Sequence, residues 1–535
     1  LTSNMVADGG GIINFSPSVG TVAVTALQSI YYFPRSDLQV KSLASTAVPA
    51  GSMRGYGTLQ SMSSMEMMVD ELAQELDIDA IALRQKNLFR TGMKNTQGAI
   101  PAGALRTAEI LERAGGHPIW TERDARKKQF EAANPDKKFG TGFACVQKDF
   151  GTGAEAAVAQ VEVTCEGRIK LRHVAPEIGT GASTAQSLIV RDVLGQTADD
   201  TQFAVIKWPE MPLTTTNEPY TMSQDEHDKR AKDPAWTPRF TSPSSASNSS
   251  YYFSHATREA ARLVFRHGLW EAAQHVWRRG IGSGQMGPLA IRIEDARWVK
   301  GKLTAGNLEP LPFKQLATIA HDLGLLVGAT VHTFNRWAWA EADFTLQGKD
   351  VRLPLDALAV KLGKATDYQF IPRTAVHYPP TQRNNAAVTY YAPNSMLLEL
   401  SVHTKTGEIT LLNHHSIMEC GKQIVPELVS GQLQGGIAMG IGHALHEHLP
   451  MGEDGPGNGQ WNFDRYQLPR GKDVAVWNQT ADILEPLSDT DRPKGIGEVV
   501  MIPVVAAIAN AVHAAIGERF YAFPITPQNI KEALK

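Results

Sequence analysis

The sequence predicts an α+β fold built from hairpin–loop–helix units. Three observations predict it: apolar residues recur at helical spacing in several segments, alternate residues are apolar in two hairpins, and each hairpin leads through a glycine loop into a helix. At 535 residues the chain exceeds one compact core. Length alone predicts about two to four domains.

The composition is that of a soluble globular protein, with 42% hydrophobic and 20% charged residues and a net charge of -3. This charge gives no basis for nucleic acid or an anionic membrane as the main partner. No two of the three cysteines have metal-ligand spacing, so we expect neither a zinc site nor an iron–sulfur cluster here. The longest apolar run, 499–516, contains Pro503, Asn510 and His513 and predicts a buried helix, not a transmembrane segment.

The N-terminal part predicts helices around a glycine-rich turn. Residues 15–33 predict a helix, and so do residues 62–76 and 79–87. Arg54 lies in Met53–Gly57, directly before the second of these helices. Backbone N–H groups at a helix N-terminus and a guanidinium suit an anion or an oxo group. A turn arginine before a core helix is the alternative.

Two hairpin–loop–helix units follow. Residues 157–173 predict a hairpin that leads through Glu177–Gly181 into a helix from Ser183. Residues 398–411 predict a second hairpin, which leads through Met418–Gly421 into another helix. The matching layout suggests an internal duplication with both loops at one site, and chance similarity of short hairpins is the alternative.

The segment between the two units is polar. Residues 221–240 predict a solvated insertion. The serine cluster 242–250 precedes a predicted helix at 254–267, and its hydroxyls and amides suit a phosphate or a polar ring edge. A serine-rich linker is the alternative. Further helices are predicted at 304–324 and 356–363.

Glu498 stands between a glycine-rich turn and the long apolar run. Because such a carboxylate is partly desolvated, it is a candidate general base. A loop glutamate that caps a buried helix is the alternative.

Upstream, Gly431–Gly436 leads into a predicted helix at 437–448, whose glycines imply close approach to another backbone or a ligand. Its histidines lack zincin spacing, so no protein ligand to a metal is predicted.

Together these motifs resemble those of the molybdenum hydroxylases of the xanthine oxidase and aldehyde oxidase type, in the C-terminal part of their molybdopterin-binding subunit. The motifs run in the family's order over nearly the whole chain: Met53–Gly57, Glu177–Gly181, the serines before Tyr251, Cys420–Lys422, Gln432–Gly436, Tyr466–Pro469 and Gly495–Glu498. The resemblance implies two elongated mixed α/β domains around a shared cofactor site. Residues 1–135 would be the C-terminal part of the first molybdopterin-binding domain and 136–535 the second.

The resemblance also implies roles for individual residues. Glu498 would be the catalytic base, and Tyr56 and Phe150 fall near two aromatic positions that enclose a flat substrate. Residues implied to bind the cofactor are Met53, Arg54, Gly55, Ile178, Gly179, Thr180, Gly181, Ala246, Ser247, Ser249, Gln432 and Gly497. Two departures are informative: Thr180 replaces a usual glutamine, and no arginine lies near Val22, which argues against purine substrates.

The implied activity is molybdenum-dependent oxidation of an aldehyde to a carboxylic acid, or of an aromatic N-heterocycle, with water as oxygen donor. The implied cofactor is molybdenum–molybdopterin in its cytosine dinucleotide form. We expect [2Fe–2S] clusters on a partner subunit, with an FAD or cytochrome c subunit as a further partner. We also expect the family's N-terminal half on a separate polypeptide or a cleaved piece. Bacterial cytoplasm and periplasm both fit, as does membrane association through a partner. A non-catalytic scaffold subunit is the alternative function.

Overall fold

The structure is a computed structural model that describes residues 1–12, 14–151, 153–216, 218–280, 291–381, 387–452, 455–456, 461–475 and 478–535. These residues form two compact units. The first unit contains residues 1–150 and 388–535, and the second contains residues 151–387. The boundary predicted near residue 136 concerns family domains and stays a prediction.

The described residues form helices of between one and five turns. They are α1 Ser16–Ala26, α2 Thr58–Glu75, α3 Ala80–Lys86, α4 Thr107–Gly116, α5 Pro118–Thr121, α6 Arg123–Ala133, α7 Ala182–Leu194, α8 Gln224–Arg230, α9 Tyr252–Val264, α10 Trp270–Gly280, α11 Phe313–Asp322, α12 Pro426–Ile441, α13 Gly471–Ala475, α14 Ile502–Ile516 and α15 Pro527–Ala533. Within the described ranges, no helix combines the length and apolarity needed to cross a bilayer.

The strands follow the same chain order. They are β1 Thr2–Asp8, β2 Asp37–Leu43, β3 Lys137–Asp149, β4 Glu155–Val163, β5 Ile169–His173, β6 Asp200–Phe203, β7 Ala296–Val299, β8 Lys302–Ala305, β9 Leu311–Pro312, β10 Leu326–Arg336, β11 Ala338–Trp339, β12 Glu341–Leu346, β13 Lys349–Leu353, β14 Ala357–Leu362, β15 Gln369–Ile371, β16 Ala375–His377, β17 Tyr391–His403, β18 Ile409–Met418, β19 Met451–Gly452, β20 Gly455–Pro456 and β21 Asn478–Ile483.

The core of the first unit is a four-stranded sheet in the order β21-β18-β17-β3. β17 is antiparallel to β18 and β3, and β21 is parallel to β18. The buried helix α14 packs directly on β3. A Cβ on Gly140 would lie 1.9 Å from Ala511 O, and one on Gly142 would lie 2.0 Å from Ala507 O. Glycine at these two positions therefore permits the close approach of helix and strand.

A fully buried ion pair joins α2 and α3 to β3. Arg84 Nε lies 3.0 Å from Glu66 Oε2, and both side chains have no exposed surface. Glu66 also accepts hydrogen bonds from Cys145 N at 2.8 Å and from the Tyr31 hydroxyl. Burial alone would lower the pKa of Arg84, but Glu66, Tyr31 and Asp70 together outweigh burial, and the pKa lies above its ordinary value. This network fixes α2 against the sheet.

The second unit is built on a larger sheet in the order β15-β14-β10-β4-β5-β6, with β11 paired to β10. β10 is antiparallel to β4 and β14, and α9 packs on β4 and β10. The two predicted hairpins are confirmed as β4–β5 here and β17–β18 in the first unit. In each case a loop after the second strand leads into a helix, α7 and α12 respectively.

Several predicted elements are wrong. Residues 356–363 do not form a helix, because β14 there pairs with β10 and β15. Its first four residues are buried, and a short apolar run has no periodicity that separates a buried strand from a helix. The helix predicted at 304–324 begins only at Phe313, after β8 and β9. The helix predicted at 15–33 ends at Ala26.

The glycine-rich helix is also displaced from its prediction at 437–448. α12 begins at Pro426, with proline in the first turn and Glu427 beside it, and ends at Ile441. A wider helical turn, Gly442–His446, follows it. Proline in the first turn and an acidic residue near the N-terminus are start signals that the glycines masked.

The polar insertion is not wholly solvated, which corrects the prediction for residues 221–240. His227, Trp236 and Thr237 are at most 2% exposed. Arg373 donates to Asp233 O at 3.0 Å and to Trp236 O at 2.8 Å. Because α8 carries its charges on the outside and one histidine inside, composition alone misrepresented this segment.

Candidate active site

The turn that carries Glu498 is buried and leads directly into α14. Glu498 is 8% exposed, and Val499 and Val500 are each 1% exposed. Met501 N donates to Glu498 O at 3.1 Å, and Asn394 Nδ2 of β17 donates to Val499 O at 3.4 Å. The backbone on both sides of the carboxylate is therefore held in place.

Lys148, close to the end of β3, lies beside this carboxylate. Its Nζ is 3.1 Å from Glu498 Oε2 and 3.4 Å from Asp149 Oδ1, and its side chain is 5% exposed. Among the described residues, nothing donates a hydrogen bond to Oε2, so the Lys148 contact is an ion pair without hydrogen-bond alignment. Burial disfavours the ammonium, but Asp149 and Glu498 outweigh burial, and the pKa of Lys148 lies above its ordinary value.

Arg54 ties the Glu498 turn to α12. Its Nε donates to Gly497 O at 2.5 Å, and its Nη2 donates to both the backbone oxygen and Oε1 of Gln432 at 3.1 Å. Nη1 donates to Met439 Sδ at 3.8 Å, and a thioether is a weak acceptor. Burial lowers the pKa of Arg54, and the charge on Glu498 opposes that effect.

The residues after Arg54 turn sharply before α2. Gly55, Tyr56 and Gly57 have φ values of +93°, +45° and +83°. A Cβ on Gly57 would lie 2.7 Å from Val19 O, so α1 approaches the turn closely. Burial raises the pKa of the Tyr56 phenol, a hydrogen bond with Ser18 opposes this, and the charge on Glu498 adds to the rise. Tyr56 thus lies within electrostatic range of the carboxylate.

Phe150 follows β3, and its buried ring packs against that of Tyr390. It is 2% exposed, its ring centroid lies 6.0 Å from that of Tyr390, and its N–H donates to Tyr390 O at 3.2 Å. Its backbone is two residues from Lys148, which places it close to the ion pair. Its role toward a substrate stays a prediction.

Two glycines of α12 allow that helix to reach the Glu498 turn. A Cβ on Gly436 would lie 2.6 Å from Val500 Cγ2 and 3.1 Å from Met501 N, and one on Gly440 would lie 2.4 Å from Val504 Cβ. The predicted close approach of this helix to another segment is confirmed. The first unit therefore brings Arg54, Tyr56, Gln432, Gly497 and Glu498 together, whereas Met53 is 41% exposed.

In the second unit, the Glu177–Gly181 loop wraps its amides around its own carboxylate. Glu177 Oε1 accepts from Gly179 N and from Gly181 N, both at 2.9 Å. Burial would raise the pKa of Glu177, but these amides outweigh it and the pKa is lowered. Ile178 is 57% exposed and Thr180 is partly exposed.

The serine cluster forms an ordered turn before α9, so the linker alternative is wrong. Ala246, Ser247 and Ser249 are at most 7% exposed. Ala246 and Ser247 have φ values of +50° and +51°, which non-glycine residues adopt infrequently. Gln186 Nε2, in the second turn of α7, donates to Ser249 O at 3.3 Å. The N-terminal turns of α7 and the serine turn are therefore neighbours within this unit.

Lys148 and Asp149 were missed by sequence reasoning. Residues 143–148 of β3 are all buried, so a lysine in that run requires a buried acidic partner. This requirement was the sequence signal by which Lys148 could have been identified as part of the site. Within the described part of the chain, no three His, Cys, Asp or Glu side chains are grouped so as to hold a metal ion.

The sequence matches family models of the molybdopterin cofactor-binding domain at residues 1–88 and at residues 113–209 with 229–475. The chain belongs to the xanthine oxidase family of molybdenum hydroxylases, as a molybdopterin-binding subunit. Residues 210–228, between the matched parts of the second model, include the start of the polar insertion.

Individual relatives agree with this assignment. The chain is 25% identical over 508 residues to the putative xanthine dehydrogenase molybdenum-binding subunit XdhA of Escherichia coli K12, covering 94% of this chain and 56% of that protein. It is 22% identical over 535 residues to the nicotine 6-hydroxylase large subunit of Paenarthrobacter nicotinovorans, covering 96% and 54%. The chain thus spans little more than half the length of these relatives.

The fold agrees as well. Quinoline 2-oxidoreductase from Pseudomonas putida 86 superposes with a TM-score of 0.69 at 17% identity, over 100% of this chain and 60% of that one. The predicted α+β molybdopterin-binding subunit architecture is confirmed.

Proposed function

We propose that this chain is the catalytic part of a molybdenum-dependent hydroxylase that oxidises an aldehyde to a carboxylic acid, or an aromatic N-heterocycle, with water as oxygen donor. The observation that carries the proposal is Glu498. Its Oε2 is buried, lies 3.1 Å from the Lys148 ammonium and accepts no hydrogen bond from the described residues. A buried carboxylate oxygen with an unused lone pair, held in a fixed position, is what a general base requires.

The residues present fit a molybdopterin cofactor. Among the described residues, the acceptor for Arg54 Nη1 is a thioether, a weak acceptor that an oxygen of an added group can replace. We propose that Met53, Arg54, Gly55, Gln432 and Gly497 of the first unit hold it. In the second unit the proposed contacts are Ile178, Gly179, Thr180, Gly181, Ala246, Ser247 and Ser249. The bound cofactor, in its cytosine dinucleotide form, supplies the two-electron oxidation.

Glu498 handles a proton of the reaction. Aldehyde oxidation consumes one water and releases two protons and two electrons, so a group must take a proton from the oxygen donor. Glu498 accepts it at Oε2, and Arg54 fixes the backbone beside Glu498 through Gly497 O at 2.5 Å. Burial at 8% exposure excludes bulk water from the competing role of proton acceptor.

Tyr56 and Phe150 favour a flat apolar substrate. The helix α1 carries no arginine, so a purine would lack a cationic partner there. The two relatives are named for different substrates, xanthine for XdhA and nicotine for the Paenarthrobacter protein. Assays with benzaldehyde, quinoline and xanthine separate the substrate classes. Turnover of xanthine alone would contradict the proposal.

The two electrons must leave through a partner. We propose a subunit with [2Fe–2S] clusters, followed by an FAD or cytochrome c subunit, because this chain has only three cysteines and none at cluster spacing. Denaturing electrophoresis of the native particle with N-terminal sequencing of each band tests this composition.

The first prediction tests Glu498 itself. We expect Glu498→Gln to keep the fold and the molybdenum content but to lose about 10²–10⁴-fold in turnover, because the amide cannot accept the proton. The control is Glu518→Gln, an exposed residue just past the other end of α14. Metal analysis and substrate-dependent dye reduction are measured on all three proteins. A Glu498→Gln variant with full molybdenum and normal turnover would contradict the assignment.

A non-catalytic scaffold subunit is the second candidate. It is favoured by Thr180 in place of the usual glutamine and by Glu177, whose carboxylate already takes the N–H groups of Gly179 and Gly181. Molybdenum present without cyanide-labile sulfur or aldehyde-dependent dye reduction would favour this alternative.

A further inference from the structure

We propose that Lys148 is a positioning residue for Glu498: the Lys148 ammonium, 3.1 Å from Oε2, holds the carboxylate in place and offsets its desolvation inside the buried site. This inference rests on the proposed function of Glu498 as a base. It assigns a task to a residue that belongs to none of the predicted cofactor or substrate contacts.

The geometry leaves Lys148 little freedom. Its backbone is fixed in β3 opposite Ala392 of β17, and its Nζ donates to Asp149 O at 2.8 Å. The ammonium is then 3.1 Å from Glu498 Oε2 in a setting where only 5% of the lysine side chain is exposed. A buried lysine with this restraint cannot swing into solvent, so its charge stays beside the carboxylate.

The charged and titratable groups that face the pair come from two elements, β3 and the turn before α2. Asp149 lies on β3 at 3.4 Å from Nζ, while Arg54 and Tyr56 lie in the turn before α2 and interact electrostatically with Glu498. β17 contributes the uncharged Asn394 to the backbone beside Glu498. Among the described residues, Lys148 is thus the cation in ion-pair contact with the carboxylate, because Arg54 directs its hydrogen bonds to Gly497 and Gln432.

Removal of the Lys148 ammonium should change the pH range over which the enzyme is active. A desolvated carboxylate without a cation takes up a proton more readily, and an opposite charge within about 4–6 Å changes such an equilibrium by about 1–3 pH units. In Lys148→Met we therefore expect the acidic limb of the kcat/KM profile to move to higher pH by about one unit or more. In this variant, turnover at high pH falls less than turnover at pH 6.

The experiment uses the holoenzyme with its native partners and equal molybdenum content. The matched control is Lys138→Met, which removes an exposed lysine, 3.8 Å from Glu131, from the same strand. Lys148→Arg is the conservative variant, and we expect it to restore most of the wild-type profile. A Lys148→Met profile with an unchanged acidic limb would overturn the proposal, and so would a limb that Lys138→Met shifts equally.

A second measurement does not depend on turnover. In a cycle of Lys148→Met and Glu498→Gln followed by thermal unfolding at pH 7, we expect Lys148→Met to lower the unfolding temperature more when Glu498 is present than in the Glu498→Gln background. If the two substitutions change the unfolding temperature additively, the proposed coupling between Lys148 and Glu498 is refuted. If the wild-type holoenzyme shows no turnover with full molybdenum, the proposed function fails, and this cycle still decides whether Lys148 and Glu498 are coupled.

Discussion

Substitution of Gly436 by alanine tests how the base is held. Gly436 lies in α12, and its added Cβ would be 2.6 Å from Val500 Cγ2, 3.0 Å from Val500 C and 3.1 Å from Met501 N. Two of these three atoms belong to the backbone next to Glu498, so a rotamer change cannot relieve the clash. Either α12 or the Glu498 turn must move.

The size of the effect follows from two opposing terms. Alanine in a helix interior is more favourable than glycine by about 0.5–1 kcal/mol. Overpacking of a filled core costs about 1–3 kcal/mol. We therefore expect Gly436→Ala to be less stable than wild type by up to about 2 kcal/mol. We also expect reduced turnover, because displacement by about 1 Å at a catalytic group lowers rates strongly.

Gly431 of the same helix is the matched control. Its Cβ would meet no atom within 4 Å, so Gly431→Ala gains the helix preference without a clash. In a thermal unfolding assay the two variants should shift in opposite directions, by roughly 2–4 °C per kcal/mol. Turnover at equal molybdenum content should fall for Gly436→Ala only. A Gly436→Ala protein as stable and active as wild type would refute this packing argument.

Two further predictions concern buried ion pairs. Glu66→Gln leaves Arg84 charged and without a counterion, so we expect a loss of about 3–5 kcal/mol in thermal unfolding, and a loss below 1 kcal/mol would contradict this role. Asp356 pairs with His332 in the second unit, and although burial alone would raise its pKa, His332 and other partners lower it. Because the pKa of Asp356 is lowered in the folded state, this carboxylate stabilises the fold at pH values above its unfolded pKa, about 4. The loss in free energy of unfolding caused by Asp356→Asn should therefore be full at pH 7 and should shrink as the pH falls below about 4 and through the lowered pKa. A deficit that is independent of pH would contradict this linkage.

Sequence reasoning succeeded where one periodicity dominates. Alternation over residues 157–173 and 398–411 predicted both hairpins, because each strand has a turn with Thr or Gly at its end and a buried face to fill. It failed at β14, because this apolar run is only six residues long and has no neighbouring hairpin turn in the sequence to separate a buried strand from a helix. It also failed at the polar insertion. Arg373 holds this segment by donating hydrogen bonds to the backbone oxygens of Asp233 and Trp236, and the pattern of side chains gives no sign of such backbone contacts.

The candidate site shows the same division. Glu498 and Arg54 stand among glycines and were predicted, since glycine marks close backbone approach in the sequence itself. Lys148 was not predicted, because it lies 350 positions before Glu498 in the sequence. The two residues meet only because β3 ends beside the turn before α14 in the folded chain. The pairing of Lys148 with Glu498 therefore went unpredicted because of the separation in sequence, although the ion pair itself is a strong interaction.

The restraints on Glu498 are divided between its backbone and its carboxylate. Arg54 binds Gly497 O, Asn394 binds Val499 O and Gly436 packs on Val500, so the neighbouring backbone is fixed without use of the carboxylate oxygens. The carboxylate itself meets a charge, Lys148, which affects its ionisation but leaves Oε2 able to accept a proton. A base must be both immobile and available, and the two requirements are met by different residues. Changes at Gly436 should therefore alter stability and rate at every pH, whereas changes at Lys148 should alter the rate mainly through its dependence on pH.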